Sequence, residues 1–182
     1  MKHIILALAA LLILLSAAVM GCSSEPSYLQ APKDLPKSDS QKDFMEVVVF
    51  YPDNDAIARE THEVAKQPNK IKAALNEIFT VKPYNDNISP VIPDNVKVLD
   101  VKVKNGTAIV DFNRNILSFD VLKDSQELLL AAILSTIRQA NQAGDIKEVK
   151  FQVEGKEKGI IDGKDIENFW GDITLKQQPW KL

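Results

Sequence analysis

The sequence predicts an α/β domain of the α+β kind, carried behind an export leader. Two alternating runs flank Asn105-Gly106 in Leu99–Asn113 and read as a β-hairpin, because Asn-Gly tolerates the positive φ angles of a tight type I′ turn. Apolar residues recur at helical spacing in Ile71–Phe79 and Leu130–Ile137. Short apolar strand runs, Phe44–Tyr51 and Ile146–Glu154, precede the first helix and follow the second.

Length and composition set the frame. The chain has 182 residues, 45% hydrophobic and 26% charged, room for a leader, a tether and one domain. Net charge is −3, and losing a leader with its lone Lys2 makes the rest slightly more acidic. That balance gives no footprint for nucleic acid or an anionic membrane surface. The single cysteine allows no internal disulfide, and the two histidines, His3 and His62, are far apart. This composition argues against a His/Cys zinc site, and no metal or cofactor is expected.

Residues 1–21 read as a lipoprotein signal peptide. Lys2 and His3 precede an apolar run, Ile4–Met20, broken only by Ser16. The run is shorter than the roughly 20 residues of a membrane-spanning helix, so it reads as an export signal. Val19-Met20-Gly21-Cys22 resembles the bacterial lipobox. That resemblance implies diacylglycerol on Cys22, cleavage before it and acylation, such as with palmitate, of the new terminus. Each buried CH₂ contributes about 0.8 kcal/mol, so two or more chains anchor stably. The same residues leave open a secreted protein cut near Ala18, or an uncleaved anchor. Residues 22–43 then form a lipidated flexible tether. Ser23–Asp43 is rich in Ser, Pro, Lys and Asp and cannot bury enough surface to offset ordering entropy.

Phe44–Tyr51 predicts a central strand, stopped by Pro52-Asp53-Asn54-Asp55. Ile57–Val64 predicts a second, more exposed strand, with His62 a surface side chain. Pro68 suits the first turn of the first helix, whose stripe is Ile71, Ala74, Leu75, Ile78 and Phe79. Lys82–Asn95, with three prolines, reads as a crossover loop. In the hairpin, Lys104 pairs with Thr107. That register puts Val103 opposite Ala108, Val101 opposite Val110 and Leu99 opposite Phe112, all on one apolar face. The other face carries Asp100, Lys102, Lys104, Thr107, Ile109 and Asp111. Asp124 and Glu127 match a capping box for the second helix, with Leu130, Ile133, Leu134 and Ile137 as its buried stripe and Gly144 as its stop. Val149, Phe151 and Val153 alternate in the next strand. Gly159–Ile161 is expected to pair back briefly. Asp162–Leu182 reads as loosely packed coil, with 167–182 as a C-terminal tail.

Several runs together resemble the GerMN domain, the sporulation and spore-germination domain of bacterial envelope lipoproteins. They are VVVFYPD (Val47–Asp53), IKAALNEIF (Ile71–Phe79), IPDNVKVLDVKVKNGTAIVDFNRNI (Ile92–Ile116), ELLLAAILSTI (Glu127–Ile137) and VKFQVEGK (Val149–Lys156). The resemblance covers about Val47 to Ile166 and gives a domain over 44–166, in one copy. It implies a βαββαβ-like core, with a mixed sheet and two amphipathic helices packed on one face, similar in shape to ring-building modules. It implies no catalytic residues.

Chemistry is sparse. Asp100 and Asp111 face each other across the hairpin with Lys102 diagonal; paired carboxylates share a proton or bind a hard cation, or stand as an exposed pair eased by lysine and water. No phosphate loop, nucleophile elbow or HExxH is present. The expectation is a non-enzymatic lipoprotein, exported and lipid-anchored through Cys22 at the outer face of the bacterial cell membrane. With Ser23 after the cysteine, that means the outer membrane in a cell with two. It would bind or stabilise an envelope protein complex in sporulation or spore germination through Asp100, Lys102, Lys104 and Asp111, or self-associate through Ile109. The alternatives are a peptidoglycan-binding module using Tyr84, Trp170 and Trp180, and a metal-dependent hydrolase using Asp100 and Asp111.

Overall fold

The computed structural model describes residues 43–182; the leader, Cys22 and all but the last residue of the tether lie outside the described residues. The order is β1 (Phe44–Asp53), β2 (Ala56–Ala65), α1 (Lys70–Thr80), β3 (Val98–Lys104), β4 (Thr107–Phe112), α2 (Lys123–Ala140), β5 (Glu148–Val153), then short strands β6 (Ile160–Ile161), β7 (Lys164–Asp165) and β8 (Trp180–Lys181). Among the described residues, no helix is long and apolar enough to cross a membrane.

The principal sheet has the order β3-β4-β5-β8. β4 runs antiparallel to β3 but parallel to β5, and β8 is antiparallel to β5, so the sheet is mixed. The parallel step needs a long crossover, and α2 supplies it. The inner face carries Ala108, Val110, Phe112, Val149, Phe151 and Val153, all fully buried. Both helices contribute to this core, α1 through Leu75 and Ile78, α2 through Leu129, Ile133 and Ile137. Phe79 meets Phe112 edge-on at 5.8 Å, and Phe112 meets Phe151 at 5.4 Å.

The Asn105-Gly106 turn forms as expected, with φ of 51° and 78°. A Cβ at Gly106 would lie 3.4 Å from the Asp145 carbonyl, and the Gly106 carbonyl accepts the Lys147 N–H at 2.7 Å. Lys104 pairs with Thr107, Val103 with Ala108 and Val101 with Val110, but a β-bulge then makes Val98, not Leu99, the partner of Phe112. The extra residue turns Leu99 outward, where it is 39% exposed, and brings Val98 into the core. Val103 stays in register yet is 52% exposed.

β1 is not a central strand. Among the described residues its single strand partner is β2, and the Phe50 N–H donates to Thr136 Oγ1 of α2 at 3.0 Å. A helix therefore supplies the cover that a second strand was expected to give, and Val47, Val49 and Tyr51 are buried. Asn54, at φ 48°, turns the chain into β2.

Helix starts also differ from expectation. Asn69, not Pro68, opens α1, its side chain accepting the Lys72 N–H at 3.0 Å. Leu122 occupies the N-cap of α2 with no side-chain bond, and Asp124 lies inside the first turn, where a carboxylate favours the positive end of the helix dipole. The buried stripe of α2 is rotated by about one position. Leu129, Ala132, Ile133, Thr136 and Ile137 are buried, and Leu130 and Leu134 only flank the core.

The C-terminal stretch is not loose coil. Ile166, Phe169, Trp170, Ile173 and Leu175 join the core, and Trp170 Nε1 donates to the Ile116 carbonyl at 2.6 Å. Gly159–Ile161 does not pair back on β5; Ile160 and Ile161 pair with Asp165 and Lys164. Residues 167–182 thus close the sheet's far edge through β8, with Trp180 against Phe151 at 4.8 Å. His62 is not a surface residue. It is fully buried, because its position in β2 points toward α1 and places both ring nitrogens beside carboxylates.

Candidate functional site

The helices cover one face of the principal sheet and leave the other open. Strand alternation places Asp100, Lys102 and Lys104 of β3 beside Asp111, Ile109 and Thr107 of β4 on this open face. Parallel pairing adds Glu148, Lys150 and Gln152 of β5, opposite Thr107, Ile109 and Asp111. Lys181 of β8 then pairs with Glu148. The result is a continuous polar surface of both charge signs around a half-buried Ile109. The contribution of β5 and β8 was hidden in the sequence: Glu148, Lys150 and Gln152 alternate with core residues, but nothing local says which strand lies next to them.

Asp100 and Asp111 do stand opposite each other, and each carboxylate already has partners. Asp100 Oδ1 accepts the Val101 N–H at 2.8 Å, and Asp100 Oδ2 lies 3.0 Å from Lys102 Nζ. These contacts, the lysine first, hold the Asp100 carboxyl below the usual carboxylate range. Asp111 Oδ1 accepts the Gly155 N–H at 2.9 Å, tying β4 to the turn after β5. Lys181 likewise lowers the Glu148 carboxyl. Among the described residues no group of three His, Cys, Asp or Glu side chains is placed to hold a metal ion. On this face the Asp100, Asp111 and Glu148 carboxylates are each already engaged by a lysine or a backbone N–H.

The three aromatic residues do not form a platform. Trp170 is buried, Trp180 is half-buried, and Tyr84, on the loop after α1, is 63% exposed. Two clefts flank α1. One, of about 510 Å³, lies between its last turn and the 82–95 segment, walled by Phe79, Val81, Ile88 and Ile92. The other, of about 540 Å³, lies where Ile71, Val101, Val103 and Ala140 converge. Beside it the outer edge of β3 is partly closed, since Asn69 Nδ2 donates to the Val101 carbonyl at 2.8 Å and Lys72 Nζ to the Leu99 carbonyl at 2.6 Å. Such side-chain bonds blunt a strand edge against unwanted pairing.

A family model described as "Germane: Sporulation and spore germination" matches residues 48–159. Among solved structures, the chain is similar to the tandem GerMN domains of the sporulation protein GerM from Bacillus subtilis. The TM-score is 0.52 and the identity 21%, covering 70% of this chain and 43% of that one. It is similar to the first GerMN domain of the same protein, with a TM-score of 0.51 and 20% identity, covering 69% of this chain and 96% of that one. This chain therefore spans under half of the tandem structure and nearly all of the single domain, and at these identities the likeness speaks to the fold. No protein of curated function matches.

Proposed function

The chain belongs to the Germane family of sporulation and spore germination proteins, and from that premise we propose that it works without catalysis, binding or stabilising a protein complex of the bacterial envelope. The carrying observation is the open outer face of the β3-β4-β5-β8 sheet. It is backed by a packed core and built from both charge signs around Ile109. Rigid strands hold such side chains in fixed register, which favours recognition by charge complementarity. The anchor in this proposal is lipid on Cys22, with residues 22–43 as the tether and the domain at the outer face of the membrane. Burial of Trp170 weighs against wall binding through an aromatic platform.

Photo-crosslinking in cells from positions 102 and 104, with captured species identified by mass, tests the surface. One dominant envelope protein supports the proposal, and capture of the same chain supports a ring or oligomer. Capture of wall fragments alone, or of nothing, overturns it. Metabolic labelling with an alkyne fatty acid tests the anchor: label is expected on the chain and lost in Cys22→Ala.

A further inference from the structure

His62 is fully buried between two carboxylates. Its Nδ1 lies 2.8 Å from Glu77 Oε2 of α1, and its Nε2 lies 3.0 Å from Glu60 Oε2 of β2. An ionised carboxylate only accepts hydrogen bonds, so both contacts are hydrogen bonds only when both ring nitrogens carry hydrogen. That is the imidazolium form. Glu60 also reaches the loop after α1, its Oε2 accepting the Tyr84 N–H and its Oε1 the Asn85 N–H, both at 2.9 Å. The Tyr84 ring stacks on His62, with centroids 4.1 Å apart and planes 17° apart, so an aromatic face lies over the cation.

We propose that protonated His62 is a latch that holds the start of the 82–95 segment on β2 and α1, and that loss of its ring proton releases this end of the segment. The groups facing the imidazole from the surrounding elements are Tyr51 of β1, Glu60 of β2, Glu77 of α1 and Tyr84 of the loop. Among the described residues, neither glutamate makes another ion pair. A neutral ring can donate to one carboxylate only. The other then faces a nitrogen lone pair, and two partly buried negative charges remain on either side of the ring with no cation between them. Glu60 is the member that also holds the Tyr84 and Asn85 amides, so the loop start is where that loss is felt. The rest of the segment is held independently, by Ser89 N–H to Asp53 Oδ1 at 3.2 Å and by the Asn113 and Asn115 side chains on the Asn95 carbonyl. Release therefore swings one end and widens the cleft beside α1. The surroundings agree in direction. Burial first, then Glu60 and Glu77, pushes the Tyr51 hydroxyl well above the usual tyrosine range. This inference does not depend on what the sheet face binds.

The test uses the full chain in detergent micelles, labelled with ¹⁵N-histidine, over a stepwise rise in pH. Ring-nitrogen shifts, assigned by their loss in His62→Gln, report protonation. Amide-exchange protection at Tyr84 and Asn85, corrected for intrinsic exchange, reports the latch. Asn113 N–H, bonded to the Lys97 carbonyl, is the reference. The expected result is two protonated ring nitrogens at the acidic end. Protection at Tyr84 and Asn85 then falls about tenfold or more as a ring proton is lost, the scale of a charge-assisted hydrogen bond, with Asn113 unchanged. Low, pH-independent protection in folded His62→Gln adds support, and the wild-type titration decides if that variant does not fold. A neutral ring while Tyr84 and Asn85 are protected overturns the proposal, as does protection that ignores ring titration.

Discussion

Asn69 joins a helix start to a strand edge, and its replacement should separate the two contributions. Its side-chain oxygen accepts the Lys72 N–H at 3.0 Å, and its amide nitrogen donates to the Val101 carbonyl at 2.8 Å. Asn69→Ala loses both. An N-cap is worth about 1 kcal/mol, and a hydrogen bond to a backbone carbonyl about 1 kcal/mol, so the loss should be about 2 kcal/mol. Asn69→Asp keeps an acceptor for Lys72 N–H and suits the helix dipole, but has no donor for the Val101 carbonyl. It should lose about half as much. Urea unfolding followed by fluorescence of the buried Trp170 reads both. With an m-value near 2 kcal/mol/M, the alanine variant's midpoint should drop by about 1 M. An alanine loss under about 0.5 kcal/mol would show that neither bond matters. An aspartate variant as unstable as the alanine one would show that the edge bond, not the cap, carries the whole effect.

Three further outcomes follow from particular side chains. Phe112→Ala removes a fully buried ring in edge contact with Phe79 and Phe151 and should cost about 3–5 kcal/mol in the same unfolding assay. Leu122→Ser should stabilise by about 1 kcal/mol, because the present N-cap leucine is 81% exposed and caps nothing; thermal unfolding by circular dichroism checks the sign. Burial pushes the Glu60 carboxyl up, but hydrogen bonds from His62, Tyr84 and Asn85 outweigh it and hold the carboxyl below its ordinary value. A depressed carboxylate contributes stability above its unfolded value and loses it as pH falls through the folded one. Unfolding midpoints taken on the acid side should therefore fall less steeply in Glu60→Gln than in the wild type.

The parts of the fold legible in the sequence are those fixed by neighbours along the chain. The Asn105-Gly106 turn, the alternation of β4 and β5 and the apolar stripe of α1 rest on local rules, and each stands in the structure. The errors occur where distant residues decide. An apolar run such as Val47–Tyr51 reads the same whether strands or helices cover it, so it does not identify the neighbours of β1. The bulge at Leu99 shifts the register by one residue, which no alternation pattern announces. His62 looked exposed because its sequence neighbours are charged, yet the buried ring faces Glu77, a residue of the next element. Asp100 and Asp111 stand opposite each other as the hairpin register predicts, but their partners depend on loop geometry and on Gly155 from another strand's end.

The open sheet face and the His62 cluster belong to different sheets, and this makes their tests separable. The face is set by strand register in β3, β4, β5 and β8, whereas the cluster joins the β1–β2 ribbon to α1 and the following loop. A substitution at Lys102, a well exposed side chain that pairs among the described residues with Asp100, should alter capture by a partner without moving the exchange of Tyr84. His62→Gln should do the reverse unless the partner also grips the 82–95 segment. Loss of crosslinking from positions 102 and 104 in His62→Gln, with Asn113 protection intact, would therefore place that segment inside the partner's footprint. The reach of the recognition surface would then extend from the sheet to the loop after α1.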